Sequence, residues 1–157
     1  MFERLQDLAE VHYGKSPAGV FSRDGGVPVV GTGGVYGRAE KSLFDSGIVV
    51  PRKGSLGGVL YMSAPFWPVD TTYAVIPKPG TFSRWLFYCL KHFDLEGLNE
   101  ATGVPSINRD MLYDVKFFKP DYASQKAISV ILDTLDTQIR QTEAIIAKLQ
   151  QVKQGLL

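Results

Sequence analysis

An α+β architecture, with a small twisted sheet domain leading into one long projecting helix, is expected on three grounds. Residues 121–154 contain neither Gly nor Pro, whereas residues 1–120 hold all 9 prolines and 15 of the 16 glycines. That Gly- and Pro-free stretch places Ile128, Leu132, Leu135, Ile139, Thr142, Ile146, Leu149, Lys153 and Leu156 at alternating steps of four and three, which is a heptad seam. The part before it is made of short β-branched runs divided by Gly, Pro, Asp or Ser, the texture of hairpins. The chain therefore divides into a sheet domain at 1–120 and a helix at 121–157.

Phe2, Leu5, Leu8 and Ala9 recur at helical spacing, so a short amphipathic helix is expected to open the chain and to stop near Gly14. Val27 to Val30, Gly47 to Val50, Gly58 to Met62 and Tyr73 to Ile76 read as strands. Thr81 or Ser83 is placed to cap a helix through Trp85, Leu86, Cys89, Leu90 and Phe93, and Asn108 or Ser106 to cap a shorter turn through Leu112. Val115 to Phe118 reads as a last strand, closed by Pro120. Phe66-Trp67-Pro68, between strands and flanked by prolines, reads as core and not as a stacking platform.

The long helix rises about 1.5 Å per residue and reaches roughly 50 Å, further than its own domain can cover. An apolar stripe of that size drives association, so the chain is expected to dimerise or dock through it. Ile131, Ile145 and Val152 flank the seam and widen the contact face. The first two turns, around Ile128 and Ile131, are placed to fold back on the domain.

At 157 residues with 45% hydrophobic content there is core for one domain and not for two. The formal net charge is +1, with 13 Lys or Arg against 12 Asp or Glu in residues 1–120 and 4 against 4 in 121–157. Binding to nucleic acid must then come from a local arrangement of cations, or share the neutralisation of phosphate with a partner. The lone Cys89 lies in an apolar run and reads as a small buried residue. His12 and His92 are 80 positions apart, with no metal-ligand spacing around either. Charges interrupt Met1 to Asp7 where a signal peptide needs an apolar core, and no run of about 18 apolar residues exists to span a bilayer. A soluble, cytoplasmic protein is expected.

Several motifs imitate catalytic or nucleotide sites. Gly31-Thr32-Gly33-Gly34-Val35-Tyr36-Gly37 follows a strand, but the polar Arg38 to Ser42 runs on into another strand and not into a dinucleotide-binding helix. Gly14-Lys15-Ser16 lacks the first Gly of a phosphate loop, since position 9 is Ala, and Pro17 breaks the helix start. Asp110 and Asp114 with Lys116 supply two carboxylates, too few to gather Mg²⁺ for nuclease chemistry. No methyltransferase signature or Ser-His-Asp set is present. The chain is expected not to be an enzyme. What remains is Arg52-Lys53-Gly54-Ser55-Leu56-Gly57-Gly58, a basic pair and a hydroxyl on a Gly-rich turn suited to phosphate or base edges, and a second polar turn from Thr102 to Arg109.

The run from Ile48 through Arg52 to Gly57, then Pro65 to Thr71, then Thr102 to Asn108, resembles the target-recognition domain of type I restriction-modification specificity subunits. Pro120, Gln125-Lys126, Ile128, Ile131 to Asp136 and Lys148 to Leu157 resemble the helical spacer that follows it. A full subunit of that family has two recognition domains and two spacers packed antiparallel, and this chain has one of each. The resemblance implies a half-size subunit that restores the architecture as an antiparallel homodimer, on double-stranded DNA with an interrupted palindromic site. It implies a methyltransferase subunit as partner, a restriction motor-nuclease subunit in the larger complex, and S-adenosylmethionine on the methyltransferase, with no cofactor here.

Residues on Gly-rich or capped turns are the candidates for DNA contact: Lys15, Arg38, Lys41, Arg52, Lys53, Ser55, Asn108 and Arg109. Ile128, Leu132, Leu135, Ile139, Thr142, Ile146, Leu149 and Leu156 are the candidates for dimerisation. The rival reading is a helix-mediated assembly module whose small domain binds another protein and no DNA.

Overall fold

The computed structural model describes residues 1–155, so the expectation for Leu156 lies outside the described residues. Among the described residues nine strands form three groups. Strands β2 (Ala9–Tyr13), β8 (Thr72–Pro77), β5 (Gly47–Pro51) and β6 (Leu60–Met62) make an antiparallel sheet in that order. Strands β4 (Gly34–Ala39), β3 (Val27–Gly31) and β7 (Trp67–Pro68) make a second sheet, antiparallel between β3 and β4 and parallel between β3 and β7. A ribbon of β1 (Phe2–Arg4) and β9 (Lys116–Phe118) ties the first residues to the end of the domain.

Strand β5 shows why the layers stack as they do. All five of its residues are buried, so both of its faces are covered. Alternation then divides them: Ile48 and Val50 belong with Trp85, Leu86 and Leu90 of helix α2 (Ser83–Lys91), while Val49 joins Val30, Phe66 and Ala74 between the sheets. Phe66 and Pro68 are buried, as expected, and Trp67 is half-buried.

The opening helix is shorter than the spacing of Phe2, Leu5, Leu8 and Ala9 suggested. Only α1 (Leu5–Leu8) is helical, and residues 9–13 form β2 instead, paired from Ala9↔Pro77 to Tyr13↔Tyr73. Ala9 and Val11 are buried while Glu10 is exposed, a period of two that overrides the weak helical nucleus. Gly14 ends β2 where the chain passes Val69 so closely that a Cβ would lie 2.0 Å from its carbonyl oxygen. The glycine-rich segment after β3 is the turn of the β3–β4 hairpin, with Gly34 at φ +108°, so no helix follows it. Strand β6 starts at Leu60, later than the expected Gly58.

Asn108 caps α3 (Arg109–Asp114), accepting from the Asp110 N–H at 2.9 Å. Neither Thr81 nor Ser83 caps α2. The N-cap is Phe82, whose N–H donates at 2.7 Å to Oε1 of Gln125 on the long helix α4 (Tyr122–Gly155). Gln125 is fully buried and its Nε2 donates to the carbonyls of Gly80 and Pro120 at 3.3 and 3.0 Å. Gln125, Ser129 and Leu132 thus turn the root of α4 toward the domain, and Ile128 and Ile131, expected in that role, are 39% and 60% exposed.

Candidate nucleic-acid interface

The two polar turns singled out in the sequence are one structure. The Gly54 N–H donates to the Pro105 carbonyl at 2.8 Å and the Ile107 N–H to the Arg52 carbonyl at 2.9 Å, joining segments more than 50 residues apart. The Arg52 and Lys53 amides also donate to the Thr71 carbonyl, at 2.9 and 3.1 Å, which fixes the first turn to the start of β8. Gly54, at φ +87°, makes the sharp bend that follows.

These bonds enclose a cleft of about 290 Å³ lined by Tyr13, Arg52, Lys53, Tyr73, Asn108 and Arg109, with Glu100 on its wall. Both arginines lie against Tyr13. The Arg52 and Arg109 guanidiniums lie 5.1 and 5.0 Å from its ring centroid, and Tyr73, its cross-strand partner, packs at 5.2 Å. Arg52 is held further by its Nη1, which donates to the Asp70 carbonyl at 2.9 Å. Among the described residues Arg52, Lys53 and Arg109 form no ion pair with a carboxylate. The Arg109 Nε is buried and has no hydrogen-bond partner among the described residues. Burial, together with the nearby Tyr13, pushes the Tyr73 phenol above its ordinary pKa despite Arg52, and its hydroxyl donates to the Ile107 carbonyl at 2.9 Å. Three cations outside any ion pair among the described residues, two of them braced on an aromatic ring, form a preorganised seat for anionic oxygen or for acceptors on a base edge.

The remaining candidates lie elsewhere. Ser55 lies across the loop in a separate hollow with Leu56, Glu96 and Asn99. Lys15 is exposed just past β2, its carbonyl accepting from Trp67 Nε1 at 2.9 Å, and Lys41 is exposed beyond β4. Arg38 lies on β4, its Nη1 bonded to the Gly26 carbonyl at 3.3 Å, in a shallow basic and aromatic patch with Phe21, Arg23 and Tyr36. Sequence reasoning missed Tyr13, Tyr73 and the Phe21–Tyr36 pair. For Tyr13 a signal existed, an aromatic residue directly before Gly14-Lys15.

On α4 the seam residues Ile128, Leu135, Ile139, Ile146 and Leu149 are exposed, together with the flanking Ile131, Ile145 and Val152. Leu132 differs, since it is half-buried against its own domain. Thr142 is spent locally, its hydroxyl donating to the Gln138 carbonyl at 2.9 Å.

The model of one protein family, the type I restriction modification DNA specificity domain, matches residues 1–151. The chain belongs to this family. Two Mycoplasma pneumoniae proteins named as type I specificity subunits, one of them a C-terminal part, are each 28% identical over 91 residues, or 58% of this chain. The match takes in 27% of the first and 61% of the second. Solved structures agree on the fold. The type I S subunit of M. genitalium superposes with a TM-score of 0.76 at 20% identity, over 90% of this chain and 40% of that one. The S subunit of Thermoanaerobacter tengcongensis gives 0.69 at 18%, over 90% and 38%. The specificity domain described here therefore spans less than half the length of the S subunits it superposes on.

The family is one of specificity subunits, which are non-catalytic, and the expectation that this chain is no enzyme stands with that membership. Of the acids weighed for nuclease chemistry, Asp114 pairs with Arg4 at 3.2 Å, and Asp110 sits in the first turn of the same helix, α3. Cys89 is half-buried, and burial raises its thiol to about 12, far from a reactive thiolate. Among the described residues no helix is long and apolar enough to cross a membrane.

Proposed function

We propose that this chain is a half-size specificity subunit that reads DNA sequence through the cleft of Arg52, Lys53, Asn108 and Arg109 and pairs antiparallel with a second copy through α4. The observation that carries the reading is the set of unpaired cations around Tyr13, built by two turns that lie far apart in sequence, within a chain of the specificity family. The exposed stripe from Leu135 to Val152 supports the pairing, since it reaches well beyond the last contact with the domain. Two recognition domains related by a two-fold axis read inverted copies of one half-site, so the target is an interrupted palindrome.

The assembled partners are a methyltransferase subunit, which carries S-adenosylmethionine, and in the restriction complex a motor-nuclease subunit. A net charge of only +1 fits a chain that reads bases while larger partners neutralise much of the phosphate. Within the cleft at least one of Arg52, Lys53 and Arg109 is a base reader, with Arg favoured because its planar fork matches two acceptors on guanine.

Binding of the methyltransferase complex to its selected duplex and to single-base variants, at two salt concentrations, tests this. Replacing a phosphate-holding residue by Ala weakens all sequences alike and lowers the salt slope by about one unit, whereas replacing a base reader costs about 1–3 kcal/mol and relaxes one position. If all three Ala variants keep wild-type affinity, discrimination and salt slope, the cleft is not the DNA-reading site. A complex that binds no duplex at all favours the assembly-module reading.

A further inference from the structure

Above its buried root, α4 is held to the domain by a compact polar clasp that neither DNA contact nor the seam uses. Arg84 Nε and the Tyr88 hydroxyl of α2 both donate to Asp133 Oδ1 at 2.6 Å, and Lys91 Nζ donates to Asp136 Oδ2 at 2.8 Å. The Tyr88 hydroxyl lies 3.2 Å from the same Asp136 oxygen, so it stands between the two carboxylates, which share one face of α4 at i and i+3. Arg84 is fixed from the other side by the rings of Tyr61 and Phe87, each with its centroid 4.7 Å from the guanidinium carbon. Directional bonds of this kind define both the tilt and the rotation of a helix, where an apolar contact alone lets helices slide.

We propose that Arg84, Tyr88, Lys91, Asp133 and Asp136 are positioning residues that set the angle between the recognition domain and α4, and through it the number of base pairs separating the two half-sites. The proposal rests on the DNA-reading function given above. Its lever is long: from Asp136 to Gly155 the helix runs about 28 Å, so a tilt of about 10° at the clasp displaces its far end by about 5 Å. That exceeds the 3.4 Å rise of one base pair along a DNA strand, so a loosened clasp changes the spacer that a rigid pair of domains can accept.

Two readouts test it, in wild type, in Tyr88→Phe, in Asp136→Asn, and in the charge exchange Lys91→Asp with Asp136→Lys. The first is the distance distribution between spin labels at Ser55→Cys and Gln150→Cys in a Cys89→Ala chain, diluted into unlabelled protein. The second is the set of spacer lengths that the assembled methyltransferase complex selects from duplexes with fixed half-sites. The wild type is expected to give one narrow distance and one spacer length. Tyr88→Phe and Asp136→Asn are expected to widen the distribution about two-fold and admit a second spacer length, with half-site bases unchanged, and the charge exchange to restore the wild-type pattern. A merely structural role lowers stability without altering spacer choice, and an unchanged spacer in both loosened variants overturns the proposal. If the wild type selects no two-part site, the functional reading fails, and the distance measurement alone decides whether the clasp sets the angle.

Discussion

Replacing Gln125 by Leu should uncouple α4 from the domain at its root. The side chain is fully buried and makes three hydrogen bonds, accepting from Phe82 N–H and donating to the Gly80 and Pro120 carbonyls. Leu has similar bulk, so little cavity is left, and the loss is almost wholly that of polar partners. Each buried group left unsatisfied costs about 1–3 kcal/mol. Gly80 is exposed and Pro120 half-buried, so water relieves those two carbonyls in part, whereas the Phe82 N–H at the start of α2 loses its cap. The expected destabilisation is about 2–4 kcal/mol, measured by urea unfolding with the slope unchanged. Gln125→Glu should be as damaging at neutral pH, since it turns a carboxylate toward two carbonyls, and should recover in mild acid as that carboxyl protonates. If Gln125→Leu unfolds within about 0.5 kcal/mol of wild type, the pin is not what joins the helix to the domain.

Exchanging Ile139 and Ile146 together for Glu buries unpaired carboxylates in any self-pairing of the seam and should cost several kcal/mol there. Sedimentation is then expected to show dimer for wild type and monomer for the variant, and a wild-type monomer at tens of micromolar refutes the pairing. The clasp has a pH signature. Partial burial works against it, but hydrogen bonds from Arg84 and Tyr88 hold the Asp133 carboxyl below its ordinary pKa, and the Lys91 hydrogen bond chiefly does the same for Asp136. Lowered folded-state values place this stabilisation above the unfolded carboxylate pKa of about 4, with loss as pH falls through the folded values. The stability difference between wild type and Asp136→Asn should therefore be constant from neutral pH to about pH 5 and shrink below about pH 4; a constant difference down to pH 2 refutes it.

Much of the fold was legible because it rests on local patterns. The Gly- and Pro-free stretch is α4, and the continuous apolar run at Gly47 to Val50 is a strand buried on both faces. Strand β2 was not legible, since Leu5, Leu8 and Ala9 satisfy helical spacing while Ala9 and Val11 satisfy alternation, and pairing with the distant β8 decides between them. Strand β4 hid in the Gly-interrupted run Gly34 to Ala39, which lacks a continuous β-branched pattern and pairs with β3 across the hairpin. In the site, Arg52, Lys53, Asn108 and Arg109 were each visible as turn residues, but their meeting depends on bonds from Gly54 to Pro105 and from Ile107 to Arg52 that no local pattern carries. Tyr13 stood out only as an aromatic residue before Gly14-Lys15, and the same kind of non-local pairing decides its place in the site. It became a platform only once β2 brought it between two arginines.

The central claim is that two copies of one recognition domain, held apart by paired α4 helices, read one DNA site. Selection from a randomised duplex pool by this chain with its methyltransferase subunit, followed by sequencing of the bound fraction, tests it most directly. The enriched motif is expected to be two inverted copies of a single half-site around an unread spacer of fixed length; two unrelated half-sites, or no enrichment beyond non-specific binding, would contradict it.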